Sequence, residues 1–177
     1  MTTLQEGELA FDFSRAQRAV RLDDRQKRTP EGLSLVDFVV EEPHRLLLIE
    51  VKDPSCAPRR DDDSARHAIA KERERFLHKI RSDTLISDEL TPKARDSYTW
   101  LHLMRQDTKP IVYAFFLGAD QLPVDSGLLM RLRERLQARI AHEADQPWAR
   151  PYVSACVVLT EKTWPQAFPD YPVRRLR

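Results

Sequence analysis

Two short apolar runs rich in branched residues dominate the first third of the chain. They are Leu33 to Glu41 (Leu-Ser-Leu-Val-Asp-Phe-Val-Val-Glu) and Leu46 to Lys52 (Leu-Leu-Leu-Ile-Glu-Val-Lys). Only Glu42-Pro43-His44-Arg45 separates them. Runs of this length and composition favour strand over helix, and the polar break predicts a β-hairpin. Side chains alternate along a strand. Leu35, Asp37 and Val39 therefore share one face of the first strand, and Leu46, Leu48, Glu50 and Lys52 share one face of the second. Pro43 cannot adopt the positive φ of the favoured two-residue turns. A four-residue loop keeps the same register, with Glu41 opposite Leu46 and, further along the two strands, Asp37 opposite Glu50.

Directly opposed residues hold their Cβ atoms ~5 Å apart on one face. Asp37 is a charge embedded in an apolar strand, which is unfavourable unless something neutralises it. Two carboxylates at that separation repel, and a divalent cation between them relieves the repulsion. Lys52 lies on the same face as Glu50, roughly 6.5 Å further along. Three such groups suit phosphodiester hydrolysis. The acids hold Mg²⁺ or Mn²⁺, the metal lowers the pKa of a water, and cation and Lys52 stabilise charge growing on phosphorus. Oxygen ligands favour these metals over zinc. The competing reading is a half-buried sheet with a Glu–Lys pair and Asp37 hydrogen-bonded to a turn.

Val36-Asp37 on one strand and Ile49-Glu50-Val51-Lys52 on the next resemble the PD-(D/E)xK nuclease superfamily. Asp37 matches the first acid of that family, and Glu50 and Lys52 match its ExK element. The backbone carbonyl of Val51 matches a frequent extra metal ligand. The resemblance is clear from about Leu33 to Asp53 and looser to about Leu117. It implies an α/β fold, a central mixed β-sheet flanked by helices with a restriction-endonuclease-like core. It also implies a metal-dependent nuclease acting on DNA rather than RNA. Val36 stands where the family usually has Pro. Many members carry another acid on an N-terminal helix; here the N-terminus reads as strand, and Glu6, Glu8 and Asp23 compete for that role. His67, Lys71 and Lys93 are candidates for the basic residue that often comes from the helix after the ExK strand. The alternative is a catalytically inactive module on the same fold, binding protein or nucleic acid, for example within a defence or mobile-element assembly.

The rest of the chain punctuates into elements. Leu9 to Phe13 alternates as a strand, with Ala19 to Leu22 as its hairpin partner. Asp63 and Ser64 cap a helix through about Ile80. Thr91 caps a second helix with Pro92 in its first turn and Ala94, Tyr98, Leu101 and Met104 on one face. Lys109 to Leu117 reads as a buried strand. Asp125 or Ser126 caps a long helix with Leu129, Leu132, Leu136 and Ile140 on its inner face, and Tyr152 to Leu159 is a last strand. The tail after Trp164 reads as surface coil. The length of 177 residues suits one domain, with a core of about 33–117 followed by helix, strand and tail over 118–177.

With 29 Lys and Arg against 28 Asp and Glu, the chain does not hold DNA by bulk charge. Phosphate contacts must be local; Arg59, Arg60, Arg131 and Arg135 are the candidates, against a solvated surface as the bland reading. Trp100, Trp148 and Trp164 suit either base stacking or packing. The five His residues show no HxH or HExxH spacing, and no GxxxxGK[ST], GxGxxG or GxSxG occurs. Cys56 and Cys156 belong to no CxxC pair. No signal-peptide pattern or membrane-length apolar run is seen, so a cytoplasmic location is expected. Expected partners are nucleic acid and, through the Leu-rich helix Asp125 to His142, a second copy or larger assembly, with no membrane.

Overall fold

The computed structural model describes residues 2–24, 32–56, 63–143 and 146–176. Arg59 and Arg60 lie outside the described residues. In chain order the elements are β1 (Thr3–Glu6), β2 (Leu9–Asp12), β3 (Arg18–Arg21), β4 (Phe38–Glu41), β5 (Leu46–Lys52), α1 (Asp63–Arg81), a π-helical turn (Ile86–Leu90) and α2 (Thr91–Leu103). They continue as β6 (Ile111–Leu117), α3 (Ser126–Ala141), β7 (His142–Glu143), β8 (Gln146–Pro147), β9 (Ala155–Thr160), α4 (Trp164–Ala167) and β10 (Val173–Arg175). The fold is α/β.

The central sheet has five strands in the order β3-β4-β5-β6-β9. β3, β4 and β5 run antiparallel, and β5, β6 and β9 run parallel, so the sheet is mixed. The register of the β4–β5 hairpin is the one read from the turn. Glu41 faces Leu46 and Phe38 faces Ile49, and the Glu42 amide donates to the Arg45 carbonyl at 2.9 Å to close the four-residue loop.

Strict alternation on β5 feeds two separate cores. Leu46 and Leu48 join Val39, Tyr113 and Phe115 in front, where α2, α3 and the π turn cover the sheet with Leu90, Ala94, Leu101, Leu132 and Leu136. Leu47, Ile49 and Val51 join Phe38, Val40, Ala114 and Phe116 behind. The rear layer is not helical alone. It is the three-stranded sheet β1-β2-β10 together with α4. Phe11 of β2 packs edge-on against Phe38, Phe116 and Trp164 with centroids 5.0–5.7 Å apart, and the Trp164 indole N–H donates to the Tyr171 carbonyl at 2.6 Å.

Four local expectations are corrected. Ala19 to Leu22 is not the hairpin partner of β2. Both edges of β2 are taken, by β1 and β10, and β3 instead pairs with β4, setting Val20 against Val39. The stretch 33–37 precedes β4 rather than extending it, because side chains of α2 take its amides: Asp96 accepts from Ser34 at 2.9 Å and Ser97 from Val36 at 2.9 Å. Thr91 does not cap α2. Its backbone is already helical, its amide donates back to Ile86, and the π turn runs straight into the helix. The tail after Trp164 is not all coil, since α4 and β10 form within it and β10 completes the rear sheet. Asp125, by contrast, caps α3 as read, accepting from the Leu128 amide at 2.7 Å.

Candidate functional site

β5 sets the site, because it presents Glu50 and Lys52 on the front face beneath the start of α2. Asp37 reaches the same place from the segment entering β4. Its Oδ2 accepts a 2.7 Å hydrogen bond from the Val51 amide, and only 6 % of the residue is exposed. Glu50 is fully buried. Burial, reinforced by the Glu50 charge, pushes the Asp37 carboxyl up to about 7. Burial also raises Glu50, against the pull of Lys93 and Lys52.

Two ammonium groups converge on Glu50. Lys93, in the first turn of α2, donates to Oε2 at 2.9 Å. Lys52 stands 3.2 Å from Oε1, yet no donor is aligned on that oxygen as a hydrogen bond. Lys52 is also 3.0 Å from Glu89 on the π turn, and Glu89 in turn binds Lys79 of α1 at 2.8 Å. Burial would lower the Lys52 pKa, but Glu50 and Glu89 outweigh it and raise it to about 12. Glu89 is held below the usual carboxylate range by Lys79 and Lys52, against its partial burial.

The structure thus brings Asp37, Glu50, Lys52 and Lys93 together and adds Glu89 and Lys79. Asp23 lies at the margin, 4.0 Å from Lys93. Glu6 is close enough to raise Asp37 slightly, but Arg21 holds its carboxylate at 2.6 Å. Neither supplies a third ligand: among the described residues, the trio of ligand-type side chains with atoms within 4.8 Å of one another is Glu8, Asp53 and Cys56. That trio sits apart from Asp37 and Glu50. Asp53 points to the rear, where Arg175 of β10 binds it at 2.9 Å and also binds Glu161. Glu8 lies 3.5 Å from the same guanidinium. Gly118 is required there, since a Cβ would fall 2.2 Å from an Asp53 oxygen.

The remaining basic candidates do not join the site. His67 and Lys71 lie on exposed positions of α1. Arg131 is exposed on α3. Arg135 ties α3 to the end of α1, bonding Asp83 at 2.6 Å and the Ile80 carbonyl at 3.1 Å.

No family model, curated protein or solved structure matches this chain. The donor set itself gives the test of fit for a divalent cation. Two carboxylates lie within electrostatic reach of each other, both are pushed toward the neutral form, and a buried oxygen of Glu50 lacks an aligned donor. These features suit a hard cation with oxygen ligands. Lys93 and Lys52 supply part of the same counter-charge from within the chain.

Glu89 and Lys79 escaped the sequence reading. Glu89 lies in Ser87-Asp88-Glu89, a polar patch between Ile86 and Leu90 that has no helical stripe of its own. The one signal for Lys93 was its place just after Thr91-Pro92, at the mouth of a helix following the ExK strand.

Proposed function

We propose that this chain is a Mg²⁺- or Mn²⁺-dependent phosphodiesterase acting on nucleic acid, with the PD-(D/E)xK arrangement on the β4–β5 hairpin. The observation that carries this reading is the buried Asp37–Glu50 pair, with a Glu50 oxygen that has Lys52 at 3.2 Å but no aligned hydrogen-bond donor. Asp37 and Glu50 would hold the cation, and the Val51 carbonyl is the third ligand that the resemblance implies. When bound, such a cation supplies Lewis-acid polarisation of a phosphoryl oxygen and a more acidic water.

The chain's own residues do the rest. Lys52, fixed between Glu50 and Glu89, presents a positive charge to the phosphoryl group as negative charge accumulates there. Glu89 restrains that ammonium, and Lys79 restrains Glu89. Lys93 favours the charged form of Glu50 against its burial and aims the carboxylate. Asp96 and Ser97 hold the segment that carries Asp37. DNA is the expected substrate by the resemblance alone.

The test is cleavage of labelled single- and double-stranded DNA with Mg²⁺, with Mn²⁺ and with EDTA, using the whole chain and its Lys52→Ala variant. Metal-dependent cleavage that falls by about a hundredfold or more in a folded Lys52→Ala variant supports the reading. Cleavage at the wild-type rate in that variant ends it.

One observation favours a second reading. The Lys93 ammonium at 2.9 Å from Glu50 can replace the metal charge outright, giving a non-catalytic module of the same architecture. A Mg²⁺ or Mn²⁺ titration separates the two, because a chain without a metal site gains no melting temperature from either ion.

A further inference from the structure

A cavity of about 410 Å³ opens on the front face of the sheet, between β3, β4 and the end of α2. Its floor is aliphatic, formed by Val20, Leu22, Leu35 and Val39, and Trp100 forms part of its wall. Arg18 and Arg105 stand at its rim on exposed positions. Neither guanidinium makes a hydrogen bond or ion pair among the described residues, unlike the other charged groups of the lining. Arg21 is committed to Glu6 and Glu41 to Lys109. An apolar slot with an aromatic wall and two uncommitted cations calls for a ligand with a flat apolar body and negative charge beside it.

The backbone at Arg105 adds an independent sign. Its φ is +55°, and the Gln106 amide donates back to the Leu101 carbonyl at 2.8 Å. This is a helix ending that favours glycine. An arginine in that strained position is held over the cavity instead of the residue the turn prefers.

The cavity also adjoins the carboxylate site. The Leu22 amide donates to the Asp37 carbonyl at 2.9 Å, and Leu35 and Val39 flank Asp37 by two residues on either side. Along α2, Lys93 over Glu50 and Trp100 over the cavity are two helical turns apart, roughly 10 Å.

We propose that this cavity is a nucleobase subsite for single-stranded nucleic acid, with Trp100 against the base and Arg18 and Arg105 on the flanking phosphates. Its role as a substrate subsite rests on the phosphodiesterase reading; binding itself needs neither metal nor cleavage. A base seated there leads its phosphate chain along α2 toward Asp37 and Glu50.

The experiment is fluorescence anisotropy of a labelled short oligothymidylate with the whole chain in EDTA, so that nothing is cut. Wild type binds, with affinity falling as salt rises. Arg18→Glu/Arg105→Glu weakens binding by about tenfold or more, and Trp100→Leu, which keeps an apolar wall, weakens it by about tenfold. Arg133→Glu, a charge reversal at an exposed position of α3 outside the cavity lining, binds as wild type does. No binding by wild type, binding that survives both cavity variants, or a cavity saturated by a fatty acid but not by the oligonucleotide overturns the proposal. The two readings fail separately. Cavity-dependent binding without any metal-dependent cleavage removes the phosphodiesterase and leaves the base subsite. Cleavage at an undiminished rate in the double arginine variant does the reverse.

Discussion

The Val51 amide donates a 2.7 Å hydrogen bond to the carboxylate of Asp37, so this buried acid is tied to the backbone between Glu50 and Lys52. That single bond fixes where the Asp37 carboxylate sits relative to Glu50 and Lys52. It does not offset the loss of water around the charge, and the carboxyl remains raised to about 7.

A pH dependence follows. The native value lies above the ordinary 3.8, so the folded metal-free chain binds more protons than the unfolded chain in between. The Asp37 contribution is full below about pH 4 and is lost as pH rises through about 7, by at most about 4 kcal/mol. Asp37→Asn keeps a hydrogen-bond acceptor and has no charge to lose. In EDTA, its melting temperature relative to wild type is expected to climb between about pH 5 and about pH 8. A constant difference across that range would mean that Asp37 is not titrating in the fold.

Lys93→Met tests the internal counter-charge. It leaves Glu50 buried with Lys52 as its remaining cation, which is expected to destabilise the metal-free chain by about 3 kcal/mol. Denaturant unfolding measures the loss. Under the phosphodiesterase reading, Mn²⁺ restores more stability to this variant than to wild type, because the ion enters where a charge is missing.

Glu89→Gln separates positioning from folding. Glu89 is partly exposed and its partners are the ammonium groups of Lys52 and Lys79, so unfolding free energy is expected to change by about 1 kcal/mol or less. Under the phosphodiesterase reading, cleavage rate is expected to drop about tenfold with substrate affinity nearly unchanged, since Lys52 loses its restraint. An equal fall in rate for Glu89→Gln and Glu89→Asp would argue against a positioning role.

Arg175→Met addresses the rear cluster. It strips the shared cation from Asp53, Glu161 and Glu8 and is expected to cost about 3 kcal/mol of stability. Under the phosphodiesterase reading, cleavage per folded molecule should hold at the wild-type rate, because these groups point away from Glu50. A rate loss that exceeds the unfolded fraction would place the rear cluster in the chemistry.

The hairpin was legible because its information is local. Alternation along Leu46–Lys52 and one short polar break determine which residues face each other, and both bounds of β5 agree with the run as read. The N-cap and inner face of α3 were legible for the same reason. Leu33 to Asp37 looked like strand by composition, but its amides go to Asp96 and Ser97 more than sixty positions away, and no pattern in the run itself records that. Glu89 and Lys79 reach Lys52 from separate helical elements, so neither carries a local signature. The three residues of β10 were hidden by their length and by the prolines around them; only Phe11 and Trp164, packed behind the sheet, explain why that tail is drawn in.

Because β5 divides the molecule into two separate apolar compartments, Glu50 and Lys52 in front share a single thickness of backbone with the aromatic cluster behind. A cavity opened at Phe38 or Phe116 would loosen the ladder that carries Glu50 without touching any charged group. Under the phosphodiesterase reading, screens that score only turnover will therefore rank such lesions beside substitutions of Asp37, Glu50 or Lys52 themselves. The two separate only when the amount of folded protein is measured in the same samples.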